Sequence, residues 1–503
     1  MPRRGRLVHS LLDEAVAETP DAYAVRDTVV RWTFSQLSEM SHGVARRLAA
    51  EGVGPGDRVV VRAETTVEQV ALFYGVSRLG AVFVPLSPTM KAFQLKSVLA
   101  NAEPRLVIAD NEETGRLTDV PTRLMSDLWP EVEKAVASEI HDGTDVTAGV
   151  RPRLDDIATL IYTSGSTAMP KAVICPHEQA TFAAEAIQAE LGYRPDDVVL
   201  CRFPLCWDYG LYKVLLCCLG RSELVLAGRD SDLTLMARMR ETGATIVPVV
   251  PSLATMIAKL AGRDEGPPPP VRMFTNTGAA LPRSTTDELR AAFPGVRVVR
   301  QFGQTECKRV SVMPPEEDLE RPDSVGRPLP GTQVLILDEA GRSVPTGESG
   351  EIVVTGPHVM PGYWRAPEQT ERAFRRDEAT GTPRLHTGDY GRLDEDGYLY
   401  FEGRRDDMFK RRGTRMSTVE IEAAAMDIAG VRAAAALPPA GGHDLALFVE
   451  SELPPQKVLR ELAARLQPEK VPAVCRVIAE LPLTANGKNA RKVLAELLDG
   501  SAE

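Results

Sequence analysis

The stretch Leu160-Ile-Tyr-Thr-Ser-Gly-Ser-Thr-Ala-Met-Pro-Lys-Ala-Val173 decides how the chain reads. A short apolar strand runs into a cluster of small hydroxyl residues and a glycine, then reaches a lysine. Phosphate oxygens need close backbone N–H groups, hydroxyl donors and a cation. Thr163, Ser164, Ser166 and Thr167 offer hydroxyls, Gly165 permits close approach, and Lys171 brings charge. The string is not a Walker A loop, because G-x-x-x-x-G-K-[ST] is absent. The bland alternative is a Ser/Thr/Gly surface loop; the preceding strand and the lysine argue for phosphate.

Outward from this loop, helical and strand patterns alternate. Phe34 to Ala50 reads as an amphipathic helix ended by glycines, and Arg58 to Arg62 as a buried strand. Val67 to Leu79 is helical again, and Ala81 to Pro85, Leu106 to Ala109, Leu224 to Leu226 and Thr245 to Val250 repeat the strand signal. Such alternation implies parallel sheets covered by helices. From about Gln333, short alternating strands between Gly/Pro turns read as an antiparallel region. Beyond the turn Asp394-Glu-Asp-Gly397 a smaller unit follows. The fold class expected is α/β: a large N-terminal domain, 1–402, of stacked αβ subdomains plus a β-rich subdomain, and a small mobile α+β C-terminal domain, 403–503.

The chain has 503 residues, 43% hydrophobic and 26% charged, the balance of a folded globular protein. The net charge of −11 and a pI near 5.4 argue against a nucleic-acid binder. Seven scattered cysteines show no CxxC pair and no metal-ligand spacing. No run approaches the roughly 18 apolar residues that span a bilayer, and Asp13 and Glu14 interrupt any signal-peptide core. The expectation is a cytoplasmic protein with no nucleic-acid or membrane partner.

The phosphate loop resembles that of the adenylate-forming (ANL) superfamily: acyl- and aryl-CoA ligases, luciferases and amino-acid adenylation enzymes. Ala168 and Ala172 stand where that family has Gly, which restricts backbone freedom. The resemblance continues in order through Gly80-Ala-Val-Phe-Val-Pro-Leu-Ser87, Thr277-Gly-Ala-Ala280, Phe302-Gly-Gln-Thr-Glu306, Gly350-Glu-Ile-Val-Val354 and Gly362-Tyr363. It then takes in His386-Thr-Gly-Asp389, Gly403-Arg-Arg-Asp406, Arg412-Gly-Thr-Arg415 and Pro482-Leu-Thr-Ala-Asn-Gly-Lys488.

The resemblance implies attack of a carboxylate on the α-phosphorus of ATP, with release of pyrophosphate. Two anions must meet, so the site must neutralise charge and fix an in-line geometry. By resemblance, Thr277, Gly278 and Ala279 lie along adenine, Phe302 stacks on it beside Gly303, Thr305 bonds a phosphate oxygen and Glu306 holds Mg²⁺. Asp389 takes the ribose hydroxyls, supported by Arg404, and Arg415 joins the nucleotide-binding set. Lys488 bridges carboxylate and phosphate in the transition state; it acts with Thr163, Lys171 and Glu306. Asp406 is the hinge about which the small domain turns before a thiol attacks, with Gly413 near the thiol channel. Taken singly, Asp389 also reads as a turn residue and Lys488 as an exposed loop lysine.

The second informative stretch is Cys201-Arg-Phe-Pro-Leu-Cys-Trp-Asp-Tyr-Gly-Leu211. Trp207-Asp208 resembles the aromatic-Asp pattern of amino-acid adenylation domains, where the Asp pairs with the substrate ammonium. The alternative is that Asp208 caps the helix after it. The same comparison puts Tyr209, Tyr212, Pro248, Thr275, Thr277, Gln301, Arg309 and Val310 on the pocket wall. Arg309 stands where apolar residues are usual, and its fork suits a second carboxylate. Its alternative is a surface arginine, with only one of Lys308 and Arg309 facing inward. Together these point to an amino dicarboxylate. The chain thus looks like the standalone enzymes that load β-amino acids such as 3-methylaspartate onto carrier proteins for macrolactam antibiotics.

The competing expectation is an acyl- or aryl-CoA ligase acting on a carboxylic acid and CoA; it shares every ATP motif. A buried Asp208 argues against a plain fatty chain. A non-acylating descendant is a weaker competitor, since Lys171, Glu306, Asp389 and Lys488 are all retained. No phosphopantetheine attachment pattern follows Lys488, so the acceptor is expected to be a separate acyl carrier protein, or CoA.

Overall fold

The computed structural model describes residues 5–142, 149–163, 170–228, 232–314, 317–404, 408–411, 414–440, 443–466, 468–483 and 489–499. Two helices show how its layers arise. In Val67–Arg78 every residue but Glu68 is buried, and in Asp208–Gly220 all but Asp208 and Leu219 are buried. A helix that is apolar all round must be covered on every side. One continuous apolar cluster supplies that cover: it joins Val59, Val61 and Phe83 of one sheet to Val25, Val199 and Leu224 of another through these helices.

The first of those sheets has six strands, in the order Thr122–Leu124, Leu106–Ala109, Arg58–Arg62, Val82–Leu86, Ile157–Thr163, Lys171–Pro176. All pair in parallel except the last two, which form an antiparallel pair. The second has nine strands; its parallel centre includes Val198–Cys201, Ile246–Val249, Met273–Asn276 and Arg297–Phe302. Helices Leu235–Thr242, Pro251–Ala261 and Arg283–Ala292 cover its outer face through a separate apolar cluster.

The antiparallel region expected from Gln333 is present. Gln333–Leu337, Gly350–Thr355, Pro383–Leu393 and Phe374–Arg376 form one sheet, with Leu399–Arg404 paired to the long strand. The last of these runs through the expected 402/403 boundary. Beyond it, Val431–Leu437, Ala446–Ser451 and Val474–Ile478 form a three-stranded sheet. It carries Thr418–Met426 and Pro455–Ala463 in one apolar cluster and Arg491–Asp499 in another.

Local chemistry sets several boundaries. Helix Phe34–Ala50 begins where expected because Thr33 and Gln36 form a reciprocal capping box. Helix Val8–Glu18, which composition alone did not mark, packs Val8, Leu11, Leu12 and Ala15 into the shared core.

Candidate functional site

In open α/β sheets ligands bind beyond the carboxyl ends of the strands. Here those ends bring together Val249, Asn276, Thr277, Gln301 and Phe302. Pro248 and Thr275 are ladder partners on adjacent strands, and the Thr277 N–H donates to Val249 O at 3.3 Å. After Phe302 the chain turns back, so that Val310 N–H donates to Phe302 O at 2.8 Å. That return leaves room only for glycine at position 303, where a Cβ would stand 2.7 Å from both Lys308 O and Arg309 Cα.

Lys308 takes a left-handed conformation, φ +65°, and Arg309 N–H reaches back to Cys307 O at 2.7 Å. This tight turn removes the usual alternation of neighbouring side chains. Lys308 is 3% exposed and Arg309 6% exposed, so both face inward. The expectation that only one of the two would do so is corrected.

Lys308 Nζ donates to Asp208 Oδ1 at 2.6 Å and to Cys175 Sγ at 3.1 Å, and lies 5.4 Å from the Tyr212 ring centre. Burial pulls its ammonium down, but the Asp208 carboxylate and the Cys175 thiol outweigh it and hold it above the usual lysine range. Asp208 is the first residue of its helix; Trp207 is the N-cap, with no side-chain cap bond. The carboxylate is therefore an ion-pair partner, and the capping alternative is set aside.

Arg309 Nη1 donates to Thr277 Oγ1 at 2.7 Å, and its guanidinium carbon stands 5.7 Å from the Tyr209 ring centre. Burial lowers the guanidinium from its ordinary value. Tyr209 Oη donates to Thr275 O at 2.6 Å, and Tyr212 Oη reaches Ala180 O at 3.3 Å. Arg309 Nε, both polar atoms of the Gln301 amide and Gln304 Nε2 are buried without a protein partner. Buried polar atoms of this kind are costly unless a ligand satisfies them. Val310, expected on the pocket wall, is fully buried among Cys307, Val334, Ile336 and Val354.

Where the sequence resemblance expects the nucleotide, Thr163 and Lys171 are ladder partners at the two ends of the loop that joins their strands. Ala172 sits in an ordinary strand position, buried, its carbonyl accepting from Trp364 N–H at 2.8 Å. Lys171 Nζ lies 4.7 Å above the Tyr363 ring, and Tyr363 Oη donates to Glu306 Oε1 at 2.7 Å. The lysine, the phenol and the carboxylate thus form one chain of contacts. Asp389 is buried within strand Pro383–Leu393, not in a turn, and Arg404 Nε lies 3.2 Å from its Oδ1. The Phe302 ring packs 5.1 Å from Phe401. Thr305, one residue before Glu306, is half-buried, whereas Gly278 and Ala279 are exposed just beyond Thr277.

Ser164, Gly165, Ser166, Thr167, Ala168, Asp406, Gly413 and Lys488 lie outside the described residues, as does the side chain of Arg415. Two residues of the site escaped the reading of the sequence. In the sequence Lys308 reads only as a neighbour of Arg309. Lys213 gave one signal: it falls four residues after Tyr209, on the same helix face.

Among the described residues no three His, Cys, Asp or Glu side chains converge as a metal cage, and no helix is long and apolar enough to cross a membrane.

Residues 12–364 match the sequence model of AMP-binding enzymes. Over 497 residues the chain is 33% identical to a probable non-canonical nonribosomal peptide synthetase, CymA, of Salinispora arenicola. The match takes in 96% of this chain but spans only 6% of that relative's length. The crystal structure of VinN is 52% identical, with a TM-score of 0.75 over 80% of this chain and 100% of VinN. VinN has also been solved in complex with L-aspartate and with 3-methylaspartate. ATP-bound MatB from Rhodopseudomonas palustris superposes with a TM-score of 0.83 at 26% identity, over 98% of this chain and 100% of MatB.

Proposed function

The chain belongs to the AMP-binding enzyme family, and on that premise we propose that it adenylates the carboxylate of an amino dicarboxylate, with 3-methylaspartate the favoured candidate. The adenylate would then pass to the phosphopantetheine thiol of a separate carrier protein in a natural-product pathway. The observation that carries this reading is the convergence of one carboxylate, Asp208, with two buried cations, Lys308 and Arg309. A substrate ammonium suits the Asp208 oxygen that Lys308 leaves free. A second carboxylate suits Arg309 Nε and the Lys308 proton not engaged by Asp208 or Cys175. VinN's recorded complexes with aspartate and 3-methylaspartate favour the same class.

The reaction joins a carboxylate oxygen to the α-phosphorus of ATP and breaks the bond to pyrophosphate. Thr163 and Lys171 would hold phosphate oxygens at the ends of their loop. Phe302 would carry the adenine, and Asp389 with Arg404 the ribose. The residues fit a magnesium ion: Mg²⁺ favours one or two carboxylates plus phosphate oxygens over an all-protein cage, and Glu306, oriented by Tyr363, is such a carboxylate. When bound, the ion would neutralise phosphate charge. Lys488 and the Asp406 hinge keep the roles that the resemblance gives them, as does the division at 402/403.

ATP–pyrophosphate exchange over a panel of amino and carboxylic acids tests the reading. The highest kcat/KM is expected for 3-methylaspartate or aspartate, followed by transfer to a carrier protein. Preference for a fatty or aromatic acid with CoA as acceptor overturns it.

A further inference from the structure

Helix Asp208–Gly220 carries one cation, Lys213, in an otherwise apolar run. Its side chain is 1% exposed. Nζ lies 3.4 Å from Tyr193 Oη, a long contact for a hydrogen bond, and 4.3 Å above the centre of the Tyr209 ring. No ion pair to Lys213 is found among the described residues. The groups facing it come from four places: Tyr193, which follows helix His177–Leu191; Cys201 at a strand end; Tyr209 and Cys217 on its own helix; and Arg309 from the returning loop. A buried ammonium with no counterion is costly. Its charge faces the ring that also faces Arg309.

We propose that Lys213 is a specificity-determining positioning residue, which favours substrates with a second carboxylate through its charge beneath Tyr209. This rests on the amino-dicarboxylate reading above. Tyr209 has a cation close to its ring on the Lys213 side and Arg309 farther off, while its hydroxyl is tied to Thr275. That arrangement holds the ring next to Thr277 and Arg309, where the second carboxylate is read. Positive charge in this low-dielectric region is also felt by a bound anion without direct contact.

Burial, and then repulsion from Arg309, push the Lys213 ammonium down to about 7. A dicarboxylate that pairs with Arg309 relieves that repulsion, so its binding takes up a proton near neutral pH. The charge is present below about 7 and lost as pH rises through it, so the advantage to the dicarboxylate fades in the same direction.

The test uses the full chain and two variants, Lys213→Met and Lys213→Gln, in pyrophosphate exchange. Aspartate is compared with 3-aminobutyrate, which lacks the second carboxylate. The wild type should prefer aspartate. Lys213→Met should lose about tenfold of that preference, mostly in KM, with 3-aminobutyrate little changed. The wild-type KM for aspartate should rise between about pH 6 and about pH 8.5, and the variant's should be flat over that range. If Lys213→Met does not fold, as judged by thermal unfolding, Lys213→Gln, which keeps a polar contact to Tyr193, carries the same comparison. A wild type that prefers aspartate together with a folded variant of unchanged preference and unchanged pH profile overturns this inference alone. A wild type without the preference overturns the reading of the substrate as well.

Discussion

Lys308 sets its ammonium 2.6 Å from a carboxylate oxygen of Asp208, a residue 100 positions earlier in the chain. The pair joins the start of one helix to the loop that follows the Glu306 motif. The Asp208 carboxylate is therefore already held by a protein cation, and under the proposed function a substrate ammonium would share it.

Removing one partner strands the other. Asp208→Ala leaves the Lys308 ammonium buried beside only Cys175 and the Tyr212 ring. A loss of about 3 kcal/mol of stability is expected. The double variant Asp208→Asn, Lys308→Met should regain most of it while staying inactive toward amino dicarboxylates. Chemical denaturation with parallel exchange assays checks both; an Asp208→Ala protein as stable as wild type would sink the account of the pair.

Arg309→Ala removes the bond to Thr277 and the group proposed to read a second carboxylate. The expected cost is about 2 kcal/mol, roughly thirtyfold in kcat/KM for aspartate. Arg309→Lys should recover only part, because an ammonium cannot reproduce the planar fork. Exchange rates for 3-aminobutyrate should change little; an equal loss for both acids would mean that Arg309 serves the fold rather than the carboxylate.

Tyr363→Phe keeps the aromatic face under Lys171 and deletes the hydroxyl that orients Glu306. The magnesium concentration for half-maximal exchange should rise about tenfold, as for other lost partners of metal ligands. The KM for the amino acid should stay near the wild-type value. An unchanged magnesium titration would argue that Glu306 does not hold the metal.

Stability should also respond to Lys213. Its folded value of about 7 lies below the unfolded lysine value of 10.5. Between those values the unfolded chain binds the extra proton, so this group makes wild-type stability rise with pH. Below about 7 the penalty for burying the charge is fully present. The unfolding free energy of Lys213→Met minus that of wild type should therefore shrink between about pH 6 and about pH 9. Denaturant midpoints at the two pH values measure it, and a difference that grows with pH contradicts the assignment.

The layers of the fold were legible because their signals are local. Apolar runs such as Arg58–Arg62 and Leu106–Ala109, and the capped helix at Phe34, need only a few neighbouring residues to declare themselves. The order of the ATP motifs was legible in the same way. What stayed hidden depends on backbone handedness and on distance in sequence. Nothing in Cys-Lys-Arg-Val announces that Lys308 turns left-handed, and the partner that decides its role is Asp208. Lys213 was hidden for a related reason: a lysine at helical spacing ordinarily marks a solvated face, and only the strands and helices packed around its helix show that none exists.

The left-handed turn at Lys308 also bears on redesign. It makes positions 308 and 309 one inward-facing unit rather than two independent positions. A mutant library that varies 309 alone would keep the buried Lys308–Asp208 pair beside each new side chain, and β-branched choices at 308 would strain the turn. Randomising the two together, with Asp208 as the third variable and with glycine or asparagine admitted at 308, would search the combinations that this backbone can display.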